Sequence, residues 1–142
     1  MKVKDILKSK GPEVITIGNE KSLSEAVGIL VKHSIGALLV LNETGKIVGI
    51  ISERDILREN HKNYGSNAKV KDVMTENVII GDPEDELDYI EHVMTQNRIR
   101  HLPIISNKRL IGIISSGDVI KAQLNGVRVT NRYLQDYIEN KY

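Results

Sequence analysis

The chain is written twice. Gly49-Ile50-Ile51-Ser52-Glu53-Arg54-Asp55 returns 63 positions later as Gly112-Ile113-Ile114-Ser115-Ser116-Gly117-Asp118. The echo reaches almost from end to end. Val3-Lys4-Asp5-Ile6-Leu7 is answered by Val70-Lys71-Asp72-Val73-Met74 at an offset of 67, and Val14-Ile15 by Val78-Ile79 at 64. Ile35 to Val40 is answered by Ile99 to Ile104 at 64, and Ile47-Val48-Gly49 by Leu110-Ile111-Gly112 at 63. The drift is a change of loop length. Such a period reports one supersecondary unit used twice, and two copies are too few to stack as a solenoid, so their hydrophobic faces must close on each other.

Each unit reads as a helical turn, a strand, a helix, a hairpin and a helix. Ser22 followed by Glu25 marks a helix start, with Leu23, Ala26, Val27, Leu30 and Val31 at helical spacing behind it. Its twin carries Leu87, Ile90, Val93 and Met94 after Asp82-Pro83-Glu84-Asp85. Strands are expected over Ala37 to Leu41 and Lys46 to Ile51, joined by Asn42-Glu43-Thr44-Gly45. Their twins are His101 to Ile105 and Arg109 to Ile114, joined across Ser106-Asn107-Lys108. The strands are near-continuous Ile, Leu and Val, which predicts helices on one face and the twin sheet on the other. The units should therefore meet sheet to sheet. Pro103 departs from a central-strand pattern and belongs at an edge or a bulge, which would leave backbone groups free. The reading is thus α+β with α/β-type packing and pseudo-two-fold symmetry, the first repeat over 1–64 and the second over 65–125. The stretch 126–142 is a helical tail, with Tyr133, Leu134, Tyr137 and Ile138 on one face of a helix from Val129 to Lys141 that covers a partner subunit or the rim.

Composition narrows the function. The 142 residues carry 20 basic and 19 acidic side chains for a net charge of +1, and neither Trp nor Phe, so no electrostatic footprint or stacking platform for nucleic acid is present. No apolar stretch reaches the length of a membrane span, and the start of the chain lacks the apolar core of a signal peptide, so a cytoplasmic protein is expected. Without cysteine there is no disulfide and no thiol chemistry. His33, His61, His92 and His101 have none of the spacings of a metal centre, and no P-loop, G-x-G-x-x-G or G-x-S-x-G is found. The pattern suits binding rather than catalysis.

The doubled Ser-x-x-Asp lies at a strand-to-helix corner. A helix start offers free backbone N–H groups and the positive end of its dipole to a phosphate, and a carboxylate one turn in can accept hydrogen bonds from vicinal hydroxyls. The competing reading is a capping box, in which Ser and Asp only satisfy the helix end.

At these residues the chain resembles the paired cystathionine beta-synthase domain, the CBS pair or Bateman module, of the stand-alone type. The likeness rests on Asp72-Val73-Met74-Thr75, on Arg98-Ile99-Arg100-His101-Leu102-Pro103-Ile104 and on both corners, and covers roughly residues 1–125. It implies two β-α-β-β-α repeats that form a non-catalytic, homodimeric sensor. An adenosine-containing ligand such as AMP, ADP, ATP or NAD would lie in the cleft between repeats and its occupancy would pass to an unknown client protein. Carried over by position, Asp55 and Asp118 become ribose ligands, and Ser52 and Ser115 phosphate ligands. Ile15, Thr16 and Ile17, and Val78, Ile79 and Ile80, fall where the family lays its first strand along the adenine, and Pro103 falls where free backbone would meet it. Arg98, Arg100 and His101 enter the second hairpin as its anion site, whereas the first repeat has Ser34, Gly36 and Ala37 at those places, with Arg54 as partial compensation. The site on Asp118 is therefore expected to be the stronger. The alternative is a structural dimer or adaptor that binds no ligand.

Overall fold

The structure, a computed structural model, describes Met1–Asn125. The helix expected over Val129 to Lys141 lies outside the described residues. Two compact units emerge, one of Glu13–Ile79 and one of Met1–Pro12 together with the described chain from Ile80 to Asn125.

The first unit holds β1 (Thr16–Gly18), α2 (Leu23–His33), β2 (Ala37–Leu41), β3 (Ile47–Ser52), α3 (Glu53–Lys62) and α4 (Val70–Val73). Its three strands are ordered β1-β2-β3, with β1 parallel to β2 and β2 antiparallel to β3. Ser22 caps α2 as its sequence demands, its Oγ accepting the Glu25 N–H at 3.1 Å. Ile17, Leu38, Val40 and Ile51 from the sheet meet Ala26 and Leu30 from α2 and Val70 from α4 in one core. Val27 and Val31, which share the helical spacing, are instead 41% and 73% exposed. They stand one residue past Ala26 and Leu30, about 100° round the helix, and so miss the sheet. Gly28 lies in the same helix, and a Cβ added there would have no neighbour within 4 Å. Gly28→Ala is expected to raise stability by roughly 0.5–1 kcal/mol in a urea titration, because alanine forgoes glycine's entropy cost and meets no neighbour. A loss would mean that another surface covers this stretch in solution.

The second unit holds α1 (Val3–Lys10), α5 (Leu87–Asn97), β4 (His101–Ser106), β5 (Arg109–Ser115) and α6 (Ser116–Asn125). Strands β4 and β5 form an antiparallel hairpin with a bulge after Ile104. The strand expected at Val78 to Ile80 does not form. Gly81 alone bridges Ile104 in parallel, its N–H donating to Pro103 O at 2.8 Å and its carbonyl accepting from Ile105 N at 2.9 Å. Local turns use the backbone on both sides, since Val78 N donates to Glu76 O at 3.0 Å and Asp82 N to Asp85 Oδ2 at 2.8 Å. Pro103 is fully buried, and its carbonyl is taken by Gly81, so the free backbone expected there is not available.

Sequence repeats and compact units divide the chain differently, because each short helix joins the sheet of the other repeat. The mechanism of docking is the same twice. A helix start leaves its first N–H groups without intrahelical partners. Val3 N and Lys4 N find Asp85 O at 3.0 Å and Pro83 O at 2.9 Å, while Val70 N and Lys71 N find Lys21 O at 2.9 Å and Asn19 O at 3.0 Å. A fork of two lysines then closes on one glutamate. Lys2 and Lys4 reach Glu84 at 2.9 and 2.8 Å, and Lys69 and Lys71 both reach Glu20 at 2.8 Å. Finally, an apolar side chain of each segment, Leu7 within α1 and Met74 at the C-cap of α4, presses onto a strand glycine: an added Cβ on Gly112 would stand 2.5 Å from Leu7 Cδ2, and one on Gly49 2.5 Å from Met74 Sδ.

These forks make stability depend on acid. Hydrogen bonds from Lys69 and Lys71 lower the Glu20 carboxyl to about 2, and those from Lys4 and Lys2 lower Glu84 to about 2. Groups with a depressed folded value stabilise above the ordinary carboxyl range near 4.5 and lose that contribution as pH falls from there through about 2. The chain should therefore melt at steadily lower temperature from about pH 5 to about pH 2, and the double variant Glu20→Gln, Glu84→Gln should show a shallower fall. Because these pairs are exposed, salt should flatten the wild-type curve as well. Parallel curves for both proteins would show that the forks contribute nothing.

Candidate functional site

Each unit carries one Ser-Asp corner at the same end of its sheet. In the first unit β3 runs directly into α3, with Ser52 extended at φ −108° and ψ 163° as the N-cap. Asp55 N donates to Ser52 Oγ at 3.2 Å, while Ser52 N and Ser52 Oγ donate to Asp55 Oδ2 at 2.9 and 3.1 Å. The other oxygen, Oδ1, stands 3.6 Å from Arg58 Nη1. Gly36 and Ala37 are at the corner through their backbone, as Glu53 N donates to Gly36 O at 2.9 Å and Ala37 pairs with Ser52. Strand β1 is parallel to β2 with Thr16 opposite Leu39, so Ile15 and Thr16 lie at this same end. A hollow of about 200 Å³ opens beside it, lined by Asp55, Arg58, Glu59, Lys62, Asp72 and Val73. Arg54 is exposed and makes none of these contacts; the arginine that approaches Asp55 is Arg58.

The second corner repeats the arrangement. Asp118 N donates to Ser115 Oγ at 3.0 Å, and Ser115 N to Asp118 Oδ2 at 2.8 Å. Arg100 O accepts from Ser116 N at 2.8 Å, and His101 pairs with Ser115, so the start of the second hairpin does lie at its corner. Arg98 is the left-handed C-cap of α5 at φ 53°, two residues before Arg100. Ile80 immediately precedes the Gly81 bridge to Ile104, on the side of His101 in this parallel pairing, although no strand forms, and Ile79 is the last residue of the other unit. Here the hollow measures about 190 Å³, and Asp5, Ser9, Lys10, Asp118, Lys121 and Asn125 contribute its polar lining.

The corners differ in the cation that meets the carboxylate. Lys10 at the end of α1 donates to Asp118 Oδ2 at 2.7 Å and to Ile113 O at 2.7 Å. Partial burial opposes the Asp118 charge, but hydrogen bonds from Lys10 and from the Ser115 backbone outweigh it and hold the carboxyl below its ordinary value. Counted from the repeat, the counterpart of Lys10 is Asn77, which explains why the spacing of motifs did not reveal it. Arg58 likewise has no motif signal beyond its i,i+3 distance from Asp55.

Of the two chemistries read from Ser-x-x-Asp, the cap is formed at both corners, so Oδ2 of each Asp and Oγ of each Ser work first for their own helix. An ionised carboxylate has about four lone-pair sites, and the cap leaves those of Oδ1 to other donors. Among the described residues no group of three or more His, Cys, Asp or Glu is placed to hold a metal ion, and no helix is long and apolar enough to cross a membrane.

The family description "CBS domain" matches residues 3–62 and again 70–125. The chain is 35% identical to a CBS domain-containing protein, CBSX3, mitochondrial, of Arabidopsis thaliana, over 99% of its own length and 73% of the relative's. Two further curated relatives are longer, and the chain spans 39% and 37% of them. Among solved structures, the CBS-domain containing protein ATU1752 from Agrobacterium tumefaciens superposes with a TM-score of 0.84 at 40% identity, covering 86% of this chain and 92% of that one. The CBS domain pair of protein MJ0100, in complex with 5'-methylthioadenosine and S-adenosyl-L-methionine, superposes with a TM-score of 0.80 at 31% identity, covering 89% and 98%.

Proposed function

This chain belongs to the CBS-domain family as a tandem pair, and we propose that it is a regulatory module which binds an adenosine-containing ligand at its Ser-Asp corners and passes occupancy to a partner chain. The observation that carries the reading is the pair of capped helix starts, each with a carboxylate oxygen outside the cap and a hollow beside it that polar side chains help to line. The methylthioadenosine and S-adenosylmethionine bound by the MJ0100 domain pair support the ligand class, since both share a ribose and an adenine with AMP, ATP and NAD. Arg100 and His101 at the second corner favour Asp118 over Asp55 as the stronger ribose ligand, because Gly36 and Ala37 bring no charge to the first. Signalling then requires that ligand prefer one of two conformations of the chain, as equal affinity for both shifts nothing.

Calorimetric titration with AMP, ATP, NAD and S-adenosylmethionine tests this directly. Saturable heat is expected for at least one of them, with a melting temperature that climbs with ligand concentration as mass action requires. Neither heat nor thermal shift from any of the four at millimolar concentration would exclude the reading. A second reading, a structural adaptor or homodimer, draws on the same capping boxes, which are complete without a ligand.

A further inference from the structure

Resting on the adenosine-ligand reading, we infer that Lys10 is a positioning residue of the Asp118 site: it fixes the carboxylate with Oδ2 turned inward and Oδ1 presented to ribose hydroxyls. The geometry is specific. The ammonium of Lys10 is anchored at both Asp118 Oδ2 and Ile113 O, each at 2.7 Å, so it cannot swing away without giving up two charge-assisted hydrogen bonds. Ser115 N occupies the same carboxylate oxygen at 2.8 Å. With two donors on Oδ2, its lone pairs are used, and a vicinal diol is directed to the other oxygen. Lys10 and Asp118 side chains are 32% and 23% exposed, so the pair is shielded enough to hold one geometry while leaving the carboxylate reachable.

The contribution comes from far away in sequence. Lys10 lies 108 residues from Asp118, in the first repeat, and joins the second repeat's corner because α1 docks on β5 and α6. At the other corner the cation, Arg58, comes from the carboxylate's own helix and stands 3.6 Å from Oδ1, the oxygen a ribose would use. Oδ2 carries two donors at both corners, and what differs is the oxygen that meets the cation, Oδ2 of Asp118 for Lys10 and Oδ1 of Asp55 for Arg58. Among the described residues, the other charged or titratable groups about Asp118 are the α-amino group of Met1, Asp5 on α1 and Lys121 on α6, which line the same hollow, and His101 on β4, paired with Ser115. It is the Lys10 ammonium, together with Ser115 N, that fills Oδ2.

The test uses the full chain as wild type, K10M and K10R, titrated calorimetrically with AMP between about pH 4.5 and about pH 7.5, alongside carbon NMR of the Asp118 carboxyl in the ligand-free proteins. K10M is expected to bind AMP about tenfold more weakly at neutral pH, since the carboxylate loses its fixed rotamer and part of its charge partner. Burial then acts on Asp118 without its counter-ion, so the K10M carboxyl should titrate at higher pH and affinity should fall off earlier on acidification. K10R, which keeps the cation, should restore both. Wild-type affinity and an unmoved pH profile in K10M would overturn the inference, as would tighter binding, which would make Lys10 a competitor of the ribose. A wild-type chain that takes neither AMP nor any of the other three ligands would instead overturn the functional reading beneath it.

Discussion

Gly49→Val is expected to cost about 3 kcal/mol of stability, at the upper end of what overpacking a core does. A Cβ at this position would meet Met74 Sδ at 2.5 Å, Met74 Cγ at 2.9 Å and, decisively, the carbonyl oxygen of Thr75 at 2.9 Å. The thioether can turn aside. The carbonyl cannot, because Ile50 N donates to it at 3.0 Å and Thr75 N returns a bond to Ile50 O at 2.9 Å. Valine's preference for strands returns at most about 1 kcal/mol. Gly112→Val provides the comparison, for its nearest atoms are Leu7 Cδ2 at 2.5 Å, Cδ1 at 3.3 Å and Cγ at 3.5 Å, all on one side chain. A rotamer change of Leu7 relieves that clash, so about 1–2 kcal/mol is expected there. Urea titrations followed in parallel by circular dichroism and by amide exchange should show Gly49→Val exposing α4 and Gly112→Val exposing α1. Equal losses, or the reverse order, would mean that the short helices do not dock on the strand glycines.

Removing the charge from Asp118 should produce the largest effect on binding. In Asp118→Asn an amide oxygen can still accept the Ser115 N–H, so the cap survives and stability should change by less than about 1 kcal/mol. Affinity for the adenosine ligand should drop at least about tenfold, since a charged acceptor of two hydroxyls is replaced by a neutral one. Asp118→Ala removes both functions, and should add a stability loss of roughly 0.5–2 kcal/mol to the lost affinity. Asp55→Asn should affect affinity less, in keeping with the uncharged Gly36 and Ala37 at that corner. The adaptor reading expects a different pattern: Asp118→Ala destabilises, Asp118→Asn is silent, and no ligand affinity exists to lose.

Much of this was legible in the amino-acid order because it depends on neighbours in sequence. Ser22 with Glu25, and Ser52 with Asp55, are capping signals in which the partners stand three residues apart, and the structure forms both. The hairpin strands Ala37–Leu41 and His101–Ser106 follow from continuous apolar runs ended by turn residues, and their observed limits lie within about a residue of those expected. Where the reading failed, a tertiary competitor won. Val27 and Val31 have the spacing of a buried stripe, yet the sheet reaches only as far as Ala26 and Leu30. Val78, Ile79 and Ile80 have strand composition, yet Val78 N turns back to Glu76 O and the pairing with β4 is made at Gly81, between local turns at Glu76 and Asp82. The lysine forks were present twice in the sequence, as Lys2 with Lys4 and Lys69 with Lys71, but their glutamates lie far along the chain and only folding pairs them.

Sequence alone determined that one unit is used twice, which residues start its helices, and that each copy brings a serine and a carboxylate to a strand-to-helix corner. Those facts are local, and a period is visible without knowing what touches what. Only the tertiary structure decided which copy each short helix serves. A repeat looks identical whether its first helix folds onto its own sheet or onto its twin's, since the offset is unchanged by either choice. The exchange is settled by helix-start N–H groups that find carbonyls in the other repeat and by glycines that admit Leu7 and Met74, and it is this exchange that carries Lys10 to Asp118.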